Sequence, residues 1–173
     1  MKILCSGNPQ HQTVANGVKQ IYPEADFASR ATGFDLRFWS EGSELHFRNA
    51  IANYTVFVNS SFVCGWGQHQ LLTVTHEVWS TNNTPGHIIN IGSTAEFLGR
   101  DSQYASYTVQ KQALQKLSLS LNGKNKIKTS HIIVGGINDG KPGHEDWLNV
   151  RTVAETIKFV IEHPYNITLL ALE

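Results

Sequence analysis

Three side chains in this sequence have the types and the spacing for carbonyl or alcohol redox chemistry: Ser93, Tyr107 and Lys111. Tyr107 and Lys111 stand one helical turn apart in a segment where Leu114, Leu117 and Leu121 recur at spacings of 3 and 4, the pattern of a helix buried along one face. Residues four apart share a helix face, so the phenol and the ammonium are neighbours. A phenol is a poor acid or base near neutrality because its ordinary pKa is about 10. An ammonium held beside it favours the phenolate and lowers that value. Such a tyrosine exchanges a proton with a substrate oxygen at physiological pH, and Ser93 is placed to donate a second hydrogen bond to that oxygen. The Tyr-x-x-x-Lys spacing is weak alone, since such pairs are common on solvated helix faces. The order of the whole stretch is harder to obtain by accident.

That order begins with Ile88, Ile89 and Ile91, a β-branched run bounded by Pro85, Gly86 and Gly92 that reads as a buried strand. Ser93 stands where the strand stops. The helical pattern starts near Ser102, and Gly123 is available to close the helix. Further strands are expected over 2–6, 26–29, 54–59, 127–134 and 167–172, with a short one over 34–36. Helices are expected over 13–22, closed by Pro23, and over 43–52, 68–80 and 149–162. Strands alternating with helices mean a parallel sheet covered on both faces. The expected architecture is therefore a Rossmann-like, doubly wound α/β fold in a single domain, 1–173. Ligands of such sheets bind beyond the carboxyl ends of the strands, at the switch point of strand order. Gly7, Asn59, Ser93 and Gly135 all fall at expected strand ends, where they face one crevice.

Composition narrows the partners. Fourteen basic and fourteen acidic residues give a formal net charge of +0, so no global field draws the chain to nucleic acid or to an anionic membrane. Lys124, Lys126 and Lys128 flank an expected strand and read as a solvated loop. A hydrophobic content of 40% argues against disorder. No apolar run approaches the ~18 residues of a membrane span, and the run at Met1–Cys5 is too short for a signal peptide, so it reads as a first strand. The two cysteines, Cys5 and Cys64, lie in apolar segments and read as buried reduced thiols, which points to the cytoplasm. His69 and His76 are two turns apart on one helix and His144 lies in a polar loop, so no metal site is expected.

With these elements in place, IINIGS and YTVQKQALQKLSLSL resemble the serine strand and active-site helix of the short-chain dehydrogenase/reductase family. The resemblance implies a catalytic set of Ser93, Tyr107 and Lys111, with Lys111 also bonding the nicotinamide ribose. At the first turn the family has Thr-Gly-x-x-x-Gly-x-Gly, and this chain has Ser6-Gly7-Asn8-Pro9-Gln10-His11-Gln12-Thr13. Gly7 fits; His11 and Thr13 stand where the later glycines would be, where an imidazole or hydroxyl can itself bond a phosphate. Arg30, with no acid at the end of the second strand, implies NADP, with NAD as the alternative. Asp35 and Leu36 resemble the pair that flanks the adenine, and Asn59-Ser60-Ser61-Phe62 resembles the Asn-Asn-Ala-Gly turn with only its first residue kept. Gly135-Gly136-Ile137 stands for the cofactor-contacting segment after the sixth strand.

The chain also departs from the family. It is shorter than the usual length of well over two hundred residues, the substrate lid is reduced to 140–146, and the asparagine that holds a relay water is absent, with Gln68 and His69 the nearest polar candidates. The resemblance implies an NADP-preferring oxidoreductase acting on a small carbonyl or alcohol substrate, as a homodimer or homotetramer. The alternative is a degenerate nucleotide- or protein-binding module of the same fold, without redox activity. A nucleotide-sugar epimerase is disfavoured, because the chain has no room for the extra substrate domain.

Overall fold

The computed structural model describes residues 1–35, 39–61, 66–97 and 105–173. Among them are six strands: β1 (Ile3–Ser6), β2 (Asp26–Ala28), β3 (Val56–Asn59), β4 (Gly86–Ile91), β5 (Ile127–Val134) and β6 (Leu169–Leu172). Five α-helices intervene: α1 (Val14–Ile21), α2 (Glu41–Ile51), α3 (Gly67–Thr81), α4 (Ala105–Leu121) and α5 (Val150–Glu162). All strand pairs are parallel, in the order β2-β1-β3-β4-β5-β6. The chain runs outward from β1 to β2 and then crosses back to β3, so the switch point lies between the carboxyl ends of β1 and β3.

The inner strands are apolar on both faces because both faces are covered. Cys5, Val58, Ile89, Ile91 and Ile132 pack against Val14 and Val18 of α1 and Val153 and Ile157 of α5. The alternate residues Leu4, Phe57, Ile88 and Ile127 pack against Phe47 and Ile51 of α2, Leu71 and Leu72 of α3, and Leu114 of α4. Only β6, at the edge, alternates in exposure. Helix starts obey local chemistry: the Ser40 hydroxyl accepts from the Ser43 N–H ahead of α2, and the Asn149 side chain accepts from the Arg151 N–H ahead of α5.

Polar side chains stitch the strand ends that form the crevice. Ser6 Oγ accepts from the amides of Ser60 and Ser61, at 2.9 and 3.0 Å, tying the end of β1 to that of β3. Asn59 Nδ2 donates to Asn90 Oδ1 at 2.9 Å, and Asn90 Nδ2 donates to Ser118 Oγ of α4 at 3.1 Å. These bonds link β3, β4 and α4 and give α4 a register on the sheet, while Asn59 Oδ1 itself is buried without a partner among the described residues.

The strand expected over 34–36 does not form at Phe34 and Asp35, and Leu36 lies outside the described residues. A 3₁₀ turn at Arg30–Thr32 ends on Gly33 at φ 87°, and the Phe34 amide donates back to Ser29 O at 2.8 Å instead of to a neighbouring strand. The Phe34 ring then packs on His46, with centroids 4.4 Å apart. Cys5 is buried and its thiol is pushed up to about 12 by burial, while Cys64 lies outside the described residues. No helix among the described residues is long and apolar enough to cross a membrane.

Candidate active site

Ser93 follows β4 after one intervening glycine, on a turn held by its own groups: its hydroxyl accepts from the Ala95 N–H at 3.2 Å. Its side chain also hydrogen-bonds Tyr107, which α4 brings over the end of β4. One turn further along α4, Lys111 sits with Nζ 5.5 Å from the centre of the Tyr107 ring. The Lys111 ammonium donates to Gln68 Oε1 of α3 at 2.7 Å and to Ile91 O of β4 at 2.8 Å. Gln68 completes the junction by donating its amide to Asn59 O at 2.8 Å. Three elements thus converge on one buried amine.

The electrostatics differ from the expectation that the ammonium lowers the tyrosine pKa. Burial raises the Tyr107 pKa above its ordinary value; the Ser93 hydrogen bond opposes this, and the Glu96 carboxylate adds to it. Desolvation of the phenolate prevails over the Ser93 hydrogen bond, because the protein around a partly buried side chain solvates the anion less well than water does. Lys111 is itself lowered to about 8 by burial, with Glu96 opposing. Its native pKa therefore lies below the ordinary 10.5, so between about 8 and 10.5 the unfolded chain binds more protons than the folded one. Stability is expected to rise with pH across that window as the buried charge is relieved. Denaturant midpoints measured for the wild type and for Lys111→Met should converge or cross in that interval; a constant difference between them would refute the buried-charge account.

Ser93, Tyr107 and Lys111 line a single cavity of about 830 Å³. Its opposite wall is the start of α1, at Gln12, Thr13 and Val14, and its floor includes Ser60, Gly136 and Ile137. Trp147, stacked on His144 with centroids 3.6 Å apart, forms an aromatic flank. The donor set suits a dinucleotide. Thr13 precedes α1 without a side-chain cap bond, so the first-turn amides keep their donors toward the cavity. Gly7, at φ 130°, makes the tight turn ahead of it, and a Cβ there would come within 3.0 Å of Ala15 Cβ and 3.3 Å of Ser61 Oγ.

The remaining sequence candidates are scattered. Asn59 is fully buried, and its Nδ2 is committed to Asn90 and to Gln68 O, so its side chain braces the sheet and does not face the cavity. His11 and Arg30 are exposed and form no part of the cavity wall, whereas Thr13 does. Asp35 lines a separate hollow of about 230 Å³ with Phe34, Trp39 and His46. Leu36 lies outside the described residues. Of the two relay candidates, Gln68 contacts Lys111 directly. His69 is lowered to about 4, by burial first and then by the Lys111 charge, so it is neutral near pH 7.

Sequence reasoning missed Glu96 and His131. Glu96 Oε1 accepts from the Ser93 N–H at 2.8 Å and lies 3.0 Å from His131 Nε2. Nothing in a lone glutamate of a short loop or a histidine inside an apolar strand signals that partnership.

No protein-family model matches the chain, and no curated protein matches its sequence. Solved structures match its fold. Serine dehydrogenase from Escherichia coli superposes with a TM-score of 0.74 at 16% identity, over 99% of this chain and 97% of that one. A short-chain dehydrogenase from Burkholderia cenocepacia J2315 in complex with NADP gives 0.71 at 11% identity, over 98% and 89%. The 3-alpha-hydroxysteroid dehydrogenase from Pseudomonas sp. B-0831, complexed with NADH, gives 0.75 at 12% identity, over 99% and 95%. The chain has the Rossmann-like fold of the short-chain dehydrogenases/reductases.

Proposed function

We propose that this chain, carrying that fold, is a nicotinamide-dependent oxidoreductase that interconverts a small carbonyl compound and its alcohol, with NADP preferred. The observation that carries the reading is the convergence of Ser93, Tyr107 and Lys111 on one cavity whose far wall is the amino end of α1. The α1 amides near Thr13 and Val14, Gly7, Gly136, Ile137 and Lys111 would hold the dinucleotide. When bound, that cofactor supplies the hydride chemistry. Tyr107 is the proton donor to the substrate oxygen, Ser93 orients and polarises the same oxygen, and Lys111 holds a positive charge against the tyrosine ring. A raised Tyr107 pKa keeps the phenol protonated at neutral pH, the state in which it can donate its proton to the substrate oxygen. His11 and Arg30 are read as phosphate-side contacts made when the dinucleotide is present, Asp35 and Leu36 as the adenine side, and Asn59 as the brace behind them. The reading includes a homodimer or homotetramer in the cytoplasm.

Calorimetry with NADPH, NADP+, NADH and NAD+ tests the proposal, followed by a carbonyl panel with the cofactor that binds best. Saturable binding of NADPH tighter than NADH is expected, and Arg30→Ala is expected to weaken NADPH by at least about tenfold while sparing NADH, as the loss of one charge-assisted phosphate contact requires. Failure of all four dinucleotides to bind would overturn the reading. The side chains of His11 and Thr13 at glycine places favour a second reading, a binding module without turnover; dinucleotide binding with no reduction of any carbonyl would select it.

A further inference from the structure

We propose that Glu96 and His131, a buried carboxylate and imidazole behind the Ser93 turn, position that serine and set a fixed negative charge beside Tyr107. The redox reading enters only where turnover is measured. Glu96 lies in the 3₁₀ turn Thr94–Phe97, yet its side chain is 2% exposed, and that of His131, on β5, is fully buried. One carboxylate oxygen serves two partners: Oε1 accepts from the Ser93 N–H at 2.8 Å and lies 3.0 Å from His131 Nε2, which is also 3.2 Å from Oε2. A carboxylate offers only acceptors, so Nε2 carries the proton in this contact. From α4, Gln112 Nε2 donates to Glu96 O at 2.7 Å and fastens the turn to the helix that bears Tyr107.

The chain is built around this pair. A Cβ on Gly92 would stand 2.3 Å from Glu96 Oε1 and 2.3 Å from His131 Nε2, so the residue before Ser93 has to be glycine for the two groups to meet. Burying a carboxylate and an imidazole carries a desolvation cost that a pair of apolar side chains would not incur, so a plain structural brace would not need this chemistry. The ionisable groups around Glu96 among the described residues are His131 of β5, Tyr107 and Lys111 of α4 and, beyond Lys111, His69 of α3. Burial raises the Tyr107 pKa and lowers that of Lys111; the Glu96 charge adds to the first effect and opposes the second. It therefore reinforces the protonated state of the phenol while opposing the loss of the lysine's charge.

Glu96→Gln separates the two roles, because it retains an oxygen for the Ser93 amide and removes the charge. The Tyr107 phenol is titrated by phenolate absorbance, taking the difference between each protein and the same protein carrying Tyr107→Phe, with no substrate present. The midpoint is expected to fall by about one pH unit in Glu96→Gln, and the pH profile of carbonyl reduction to shift down with it. His131→Gln keeps a donor to Glu96 and is expected to match the wild type, whereas His131→Leu releases the carboxylate and is expected to lose turnover by at least about tenfold through misplacement of Ser93. An unshifted Tyr107 midpoint in Glu96→Gln, or a His131→Leu protein equal to the wild type in midpoint and turnover, would overturn the proposal. If the wild type reduces no carbonyl, the redox reading falls while the phenol titration still decides this one.

Discussion

Replacing Tyr107 by Phe is expected to lower kcat/KM for carbonyl reduction by at least about a hundredfold, the contribution of a positioned general acid, while dinucleotide affinity and melting temperature stay near those of the wild type. The substitution deletes one oxygen and keeps the ring. The ring is what lies 5.5 Å from the Lys111 ammonium, so the packing of α4 against β4 survives. The lost oxygen is the one that hydrogen-bonds the Ser93 side chain, and Ser93 keeps its turn through the Glu96 carboxylate at 2.8 Å and the Ala95 amide at 3.2 Å. Stopped-flow or steady-state oxidation of NADPH, calorimetry and thermal melting together check this. Normal turnover in a folded Tyr107→Phe protein would remove the assignment of Tyr107 as acid.

Trp79→Ala is expected to cost about 3–5 kcal/mol of stability, the range for truncating a large buried aromatic side chain. Trp79 lies on α3, is fully buried, and donates its indole Nε1 to Ile51 O at 3.0 Å, closing the end of α2. Truncation leaves a cavity in the buried cluster that also holds Phe47, Ile51 and Phe57, and removes the indole donor from Ile51 O, which keeps the Tyr54 N–H at 3.1 Å. For a chain of this size the melting point should fall by roughly 10 °C. Urea unfolding gives the free energy directly, and a loss under about 1 kcal/mol would mean that the neighbouring core refills the space. The consequence reaches the site, because α3 also carries Gln68 and packs on β4, which ends at Ile91, two residues before Ser93.

The strands and helices were legible because their signals are local. β-branched runs such as Ile88, Ile89 and Ile91, broken only by Asn90, are buried most readily from both sides, and the leucines of α4 repeat at the helical period, so parallel strands and amphipathic helices followed without any tertiary information. Ser93, Tyr107 and Lys111 were legible for a related reason: one sits at a strand end and the other two share a helix face, and both relations are written in spacing. The strand expected at 34–36 failed because Gly33 in a left-handed conformation, followed by an amide bonded back to Ser29, turns the chain away from the sheet at Phe34.

What the order of residues by itself determined about this protein is the doubly wound architecture and the placing of the candidate trio Ser93, Tyr107 and Lys111 near the end of β4. Only the tertiary structure decided the electrical state of that trio. Burial raises the Tyr107 pKa and lowers that of Lys111, whereas the one-turn spacing had suggested a lowered phenol. Packing across elements also committed the Asn59 amide to the sheet, gave Lys111 the side chain of Gln68 as a partner, and set Glu96 against His131 across 35 positions of chain. Periodicity records which face of an element meets the core. It does not record which distant side chain fills the space opposite, and a proton's affinity depends on that neighbour and on the water it displaces.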